Sequence, residues 1–304
     1  MPLREGLHFI EPLPMKFLKR LLSPLVRRTL SPRTVQVLRF RNWYLLSYLP
    51  RLLSSPLLKR RLQVRGFKGA VGRSVLVEKL QAVNVLAPTE MCPVMARYGS
   101  DKALHSYTQV YSALFKDWFD RPLRMLELGL GTNNPAVLSN MGAFGAPGAS
   151  LRGWRDLFPQ ASVYGADIDR GILFQEDRIK TFYCDQLDKS SIRSIWSQPA
   201  LRNGADIIIE DGLHTFEANV SFLEESLDHL RPGGIYVVED IGWEDIERWY
   251  VRLETVYSKQ YPTHEFAFVV LAKHEYNNML VIRRPEGEAV FSGPPVTGAF
   301  REAE

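Results

Sequence analysis

The chain has 304 residues, 45% hydrophobic and 24% charged, which excludes a disordered or collagen-like polypeptide and leaves room for one large domain with an appendage. Its formal net charge is only +4, yet residues 1–70 hold fifteen Lys and Arg against Glu5 and Glu11, a local balance of +13 that leaves the rest at −9. A basic arm and an acidic body follow from that asymmetry.

Residues 15–30 place Leu18, Leu21, Leu22, Leu25 and Val26 on one helical face with basic side chains opposite. A second helix is expected from the Ser31 cap and Pro32 to Pro50. Together they read as a basic helical N-terminal extension over residues 1–90, packed on the body or on another subunit of a homo-oligomer. Peripheral contact with an anionic membrane is the functional alternative, since Lys and Arg opposite Leu, Trp and Tyr suit it. No nucleic-acid partner is expected, because no recognised motif accompanies the charge. Pro50, Arg51 and Pro56 interrupt the best apolar run before it reaches the ~18–20 residues of a bilayer span. Lys16, Lys19, Arg20, Arg27 and Arg28 break any secretory signal. Only Cys92 and Cys184 are present, without metal-site or disulfide spacing, so a reducing, cytoplasmic setting is the expectation, at most peripheral to the inner membrane face.

After residue 120 short apolar runs recur at 123–128, 162–168, 179–184, 205–210 and 234–238. Helix-length segments at 150–158, 189–196 and 216–230 separate most of them. Alternation of this kind implies an α/β, three-layer, Rossmann-like sandwich with a mostly parallel sheet. Residues 265–271 and 279–283 read as a C-terminal antiparallel hairpin. Five parallel strands closed by such a hairpin form the arrangement of the S-adenosylmethionine-dependent methyltransferase fold, assigned here to residues 91–285. The tail, 286–304, has no periodicity.

Three strand ends carry adenosine-recognising chemistry. Gly129 and Gly131 follow the first strand, where the backbone can approach a ligand. Pro135 and Ala136 break the G-x-G-x-x-G pattern, so a pyrophosphate loop, and with it a nicotinamide dehydrogenase, is disfavoured. Asp167 and Asp169 end the second strand, where an acid can accept ribose hydroxyls. Asp185 and Gln186 end the third, where they can meet an adenine amino group.

Asp211, with Glu210 before it and His214 after it, closes the fourth strand, and Glu239 and Asp240 close the fifth. Such a repulsive cluster suits a hard divalent cation, and Asp211, Glu239 and Asp240 are assigned as Mg²⁺ ligands. His214 is assigned as the general base that takes the proton of an activated hydroxyl. Trp243, Trp249, Tyr250 and Tyr257 follow as an aromatic wall for an acceptor or as a core stripe.

Tyr98-Gly99-Ser100-Asp101-Lys102 with His105 and Tyr107, then Glu127-Leu128-Gly129, residues 148–154 and 164–169, Asp185-Gln186 and residues 211–214 complete the pattern. In that order these motifs resemble the metal-dependent macrolide-sugar O-methyltransferases of the mycinamicin VI 2''-O-methyltransferase type, over residues 95–242. The resemblance implies a methyl donor near Ser100, Glu127, Asp167 and Gln186, magnesium at Asp211, Glu239 and Asp240, His214 as base, and a sugar hydroxyl acceptor in an oligomeric assembly. Against that reading stand a catechol or phenol O-methyltransferase and a non-catalytic assembly protein that keeps the cofactor pocket.

Overall fold

The computed structural model describes residues 61–67, 74–103, 105–142, 145–271 and 277–287. The two helices expected between residues 15 and 50, and nearly all of the 286–304 tail, lie outside the described residues.

Gln63–Phe67 forms β1, and Ser74 caps helix α1, Val75–Gln81, by accepting from the Val77 backbone N–H. Helices α2, Met91–Tyr98, and α3, Tyr107–Phe115, precede β2, Arg124–Leu128. Then come α4, Ala149–Leu157, β3, Ser162–Asp167, the short β4, Gln175–Glu176, and β5, Ile179–Tyr183. Helix α5, Lys189–Trp196, β6, Ala205–Glu210, and α6, Phe216–Ser226, lead to β7, Leu230–Ile241. Helix α7, Ile246–Arg252, and the antiparallel pair β8, Glu265–Val270, and β9, Asn278–Arg283, complete the described chain.

These strands form one sheet in the order β1-β8-β9-β7-β6-β2-β3-β5-β4. The pairings of β2 with β3 and β6, β3 with β5, and β6 with β7 are parallel, while β9 pairs antiparallel with both β7 and β8. The expected five parallel strands and closing hairpin are therefore present, and the arrangement is the Rossmann-like class I methyltransferase fold.

The apolar runs are continuous because both faces of the sheet are covered. Ile207, Ile209, Ile235 and Val237 pack with Leu80, Met95, Tyr111 and Trp154 on one side. Ile208, Tyr236 and Val238 pack with Ile195, Phe222, Leu223 and Trp249 on the other.

The expected division at residue 90 needs correction. Residues 63–67, assigned to a helical extension, are instead an edge strand of the same sheet, paired antiparallel with β8 from Gln63↔Val270 to Phe67↔Phe266. Helix α1 is fastened to that edge as well: Glu265 Oε2 accepts from the Leu76 N–H at 2.9 Å and from Ser74 Oγ at 3.1 Å.

Candidate active site

Register aligns the carboxyl ends of the parallel strands. Leu128 lies beside Ala166 on one flank and Glu210 on the other, and Glu210 lies beside Val238. The next residues, Gly129, Asp167, Asp211 and Glu239, consequently share one rim. Gly129 adopts φ +93°, and a Cβ there would lie 1.8 Å from the Asp211 carbonyl oxygen. Only glycine lets the first and fourth strand-end loops cross so closely.

A cavity of about 560 Å³ opens over this rim. Gly129, Gly131, Asp167, Asp185 and Gln186 line one part, and Asp211, His214, Glu239 and Asp240 line another. Ser100 and Glu127 are not in the lining: Ser100 is buried, and its Oγ accepts from the Lys102 N–H at 3.4 Å.

Several expected cofactor residues are already engaged. The Asp167 carboxylate accepts from the Leu130 N–H at 2.7 Å and the Asp169 N–H at 2.8 Å, while burial raises its pKa. Asp185 accepts from the Leu187 N–H at 2.9 Å. Gln186 donates to Glu210 Oε1 at 2.7 Å and accepts from the Leu213 N–H at 2.8 Å, so both ends of its amide brace the loop that carries Asp211 and His214. Burial pushes Glu210 up to about 7. Glu127 Oε2 accepts from Trp154 Nε1 at 2.6 Å, whereas its buried Oε1 lacks a hydrogen bond and lies 3.3 Å from Lys102 Nζ. That oxygen faces the Lys102 ammonium behind the rim, while the positive-φ glycines that follow β2 leave the cavity open to close approach of a cofactor.

Donor atoms of Asp211, His214 and Asp240 lie within 4.8 Å of one another. His214 Nε2 is 3.9 Å from Asp211 Oδ1 and 3.9 Å from Asp240 Oδ2. Left-handed backbone at His214, φ 62°, and Asp240, φ 53°, turns these side chains together, and such strain is stored where surrounding structure fixes it. The Tyr107 hydroxyl donates to Asp240 Oδ1, and Asn277 Nδ2 donates to the same oxygen at 3.0 Å. Burial raises the pKa of Tyr107, as do the neighbouring carboxylates, so it remains a donor.

Glu239, expected as an ion ligand, lines the same cavity and is engaged by other partners. It is 1% exposed, and its two oxygens accept from the Tyr111 hydroxyl and from Lys102 Nζ at 2.6 Å. Lys102 Nζ also donates to Asp211 Oδ2 at 2.7 Å. Burial alone would lower the Lys102 pKa, but Asp211, Glu239 and Glu127 outweigh it and hold the ammonium well above its ordinary value. Among the described residues, then, Asp211, His214 and Asp240 form the compact donor set, and Glu239 stands behind it on a lysine. The two carboxylates in this spacing fit a divalent cation, with the His214 imidazole beside them.

Sequence reasoning gave no role to Lys102, Tyr111 or Asn277. Lys102 stands within the Tyr98–Lys102 motif, but the burial that makes its charge informative is seen only in the structure. Of the expected aromatic wall, Trp249 and Tyr257 are core residues, Tyr250 packs tilted against Phe67 and edge-on against Phe268, and only Trp243 is substantially exposed, at 49%.

The sheet order is that of the Rossmann-like methyltransferase fold, and the carboxyl border of its parallel strands is acidic. No family model matches the chain. Over 147 residues it is 36% identical to the 8-demethyl-8-alpha-L-rhamnosyl tetracenomycin-C 2'-O-methyltransferase of Streptomyces olivaceus, covering 48% of this chain and 36% of that protein. Over 155 residues it is 33% identical to the mycinamicin VI 2''-O-methyltransferase of Micromonospora griseorubida, covering 50% of this chain and 36% of that one. It is 32% identical over 158 residues to the demethylmacrocin O-methyltransferase of Streptomyces fradiae, 51% of this chain and 37% of the relative. The chain thus matches little more than a third of each relative's length. Among solved structures, a MycE methyltransferase from the mycinamycin biosynthetic pathway in complex with Mg and SAH superposes with a TM-score of 0.49 at 26% identity, over 69% of this chain and 58% of that one.

Proposed function

We infer that this chain is an S-adenosylmethionine-dependent, Mg²⁺-assisted O-methyltransferase acting on a hydroxyl of a sugar, in a glycosylated natural product or surface glycolipid. One observation carries the reading: the oxygen and nitrogen donors of Asp211, Asp240 and His214 converge within 4.8 Å beside the glycine loop and Asp167 of a methyltransferase-type sheet. The similarity to named sugar O-methyltransferases supports the acceptor class.

S-adenosylmethionine supplies an electrophilic methyl group on sulfur, and a divalent ion lowers the basicity of a hydroxyl oxygen. Gly129 and Gly131 would leave room for close approach of the cofactor. Asp211 and Asp240 would hold the ion, with Tyr107 and Asn277 fixing which oxygen of Asp240 stays available. With donor and acceptor bound, His214 Nε2 would be the group placed to take the proton of the acceptor hydroxyl. Leu138, 89% exposed, with Met141 and Leu187, gives the cavity rim an apolar surface suited to the non-sugar body of an acceptor.

His214→Ala is expected to lose about 10²- to 10⁴-fold in kcat while retaining calorimetric binding of S-adenosylmethionine and Mg²⁺. Unchanged turnover would remove His214 from proton transfer, and loss of ion binding would make it a ligand instead. A panel of glycosides, catechols and simple phenols assigns the acceptor by which of them is methylated.

The proposal extends to a cytoplasmic homo-oligomer whose basic N-terminal segment contacts anionic lipid at the inner membrane face. The charge of residues 1–70 supports lipid contact. None of the described helices is long and apolar enough to cross a membrane. Flotation with anionic liposomes, comparing the full chain with one lacking residues 1–60, tests the contact, and equal flotation would refute it.

A further inference from the structure

Resting on the ion site just described, we propose that Lys102 is the resident counter-ion of the acidic rim, a positioning residue that holds Asp211 and Glu239 together without metal and weakens, by like-charge repulsion, the hold of the neighbouring donor set on a divalent ion. Its ammonium carries three donors and meets three carboxylates from three adjacent strand ends: Glu239 at 2.6 Å, Asp211 at 2.7 Å and Glu127 at 3.3 Å. It is itself only 2% exposed. A buried cluster of like charges is costly unless it is compensated, and burying a lysine is equally costly without partners. Each requirement here meets the other.

The geometry divides Asp211 between two cations. Its Oδ2 is bound by Lys102, while its Oδ1 faces His214 and the Asp240 side of the cluster. The lysine enters from outside the sheet, on the one-turn helix Asp101–Ala103, so it reaches the rim independently of the strands that carry the acids. A purely structural ion pair would leave ion affinity unmoved by its removal. A repelling cation makes the opposite demand: at an effective dielectric constant of about 20, a like charge a few ångström away weakens ion binding well beyond tenfold.

The test uses the full chain, MnCl₂ as calorimetric probe and thermal melts in EDTA. Lys102→Met, close in length and uncharged, is expected to bind Mn²⁺ about tenfold or more tighter than the native chain and to melt lower in EDTA, with Mn²⁺ restoring its Tm. Equal or weaker Mn²⁺ binding by a folded Lys102→Met overturns the proposal. The paired variant Lys102→Met/Glu239→Gln removes one charge of each sign and is expected to melt above Lys102→Met in EDTA. If the single variant does not fold in EDTA, folding of the pair upholds the counter-ion role, and failure of the pair refutes it. A folded native chain that binds no Mn²⁺ would instead sink the ion site of the proposed function, while the comparison of single and paired melts still decides what Lys102 does.

Discussion

Tyr107 shows how one phenol decides the use of a carboxylate. Its hydroxyl holds Asp240 Oδ1 together with Asn277, which leaves Oδ2 on the His214 side. Tyr107→Phe removes one hydrogen bond to a charged group, about 1.5–3 kcal/mol, so Mn²⁺ binding should weaken about 10- to 100-fold by calorimetry with the fold retained. Gln186 makes a parallel case. Gln186→Leu frees Glu210 and the Leu213 N–H, and kinetics should show kcat falling further than the KM for cofactor rises; the reverse pattern would return Gln186 to adenine recognition. Asp211, His214 and Asp240 were legible because polar residues stand out where apolar runs end. Lys102, Tyr111 and Asn277 were not, since they reach the rim from a turn, a helix and a hairpin whose docking no local pattern encodes. Glu239 was legible as to position, but its partners come from those same outside elements.

At the scale of elements, the parallel strands could be read because burial on both faces demands continuous apolar runs. Strand β1 could not. Gln-Val-Arg-Gly-Phe is short, mostly exposed and polar, and it pairs with a partner some two hundred residues away in sequence. Strand β7 runs from Leu230, earlier than expected, because Pro232-Gly233-Gly234 reads as a turn yet is absorbed into a strand that shifts register against both neighbours. The crossing of loops at Gly129 carries its own prediction. Gly129→Ala puts a methyl 1.8 Å from a backbone oxygen at φ +93°. A cost of about 2–3 kcal/mol should lower Tm by roughly 5–10 °C; an unchanged melt would show that the loops can separate freely.

For the molecule as a whole, His264 sets an acid limit. It is 5% exposed, and burial, with Arg284 nearby, pushes its imidazole down to about 4 from 6.5. The unfolded chain takes up a proton that the folded chain refuses, so this contribution is absent above about pH 7 and stability falls as pH drops from 6.5 towards 4. The loss is at most about 3 kcal/mol, and it should vanish in His264→Phe. Denaturant melts of both chains across that range isolate it from Glu210, whose raised pKa acts with opposite sign.

Strand directions in the sheet have one more consequence. β8 runs alongside β7, and β1 runs against both, so Gln63 sits opposite Val270 at the carboxyl end of the parallel set. The polypeptide preceding Gln63 therefore joins the sheet on the same border as Asp211 and Asp240, and not on the opposite border. Removing residues 1–60 shortens the chain at the border that carries the acidic cluster, and the shortened chain is expected to differ from the full one in its turnover of a panel of glycosides while the sheet melts unchanged.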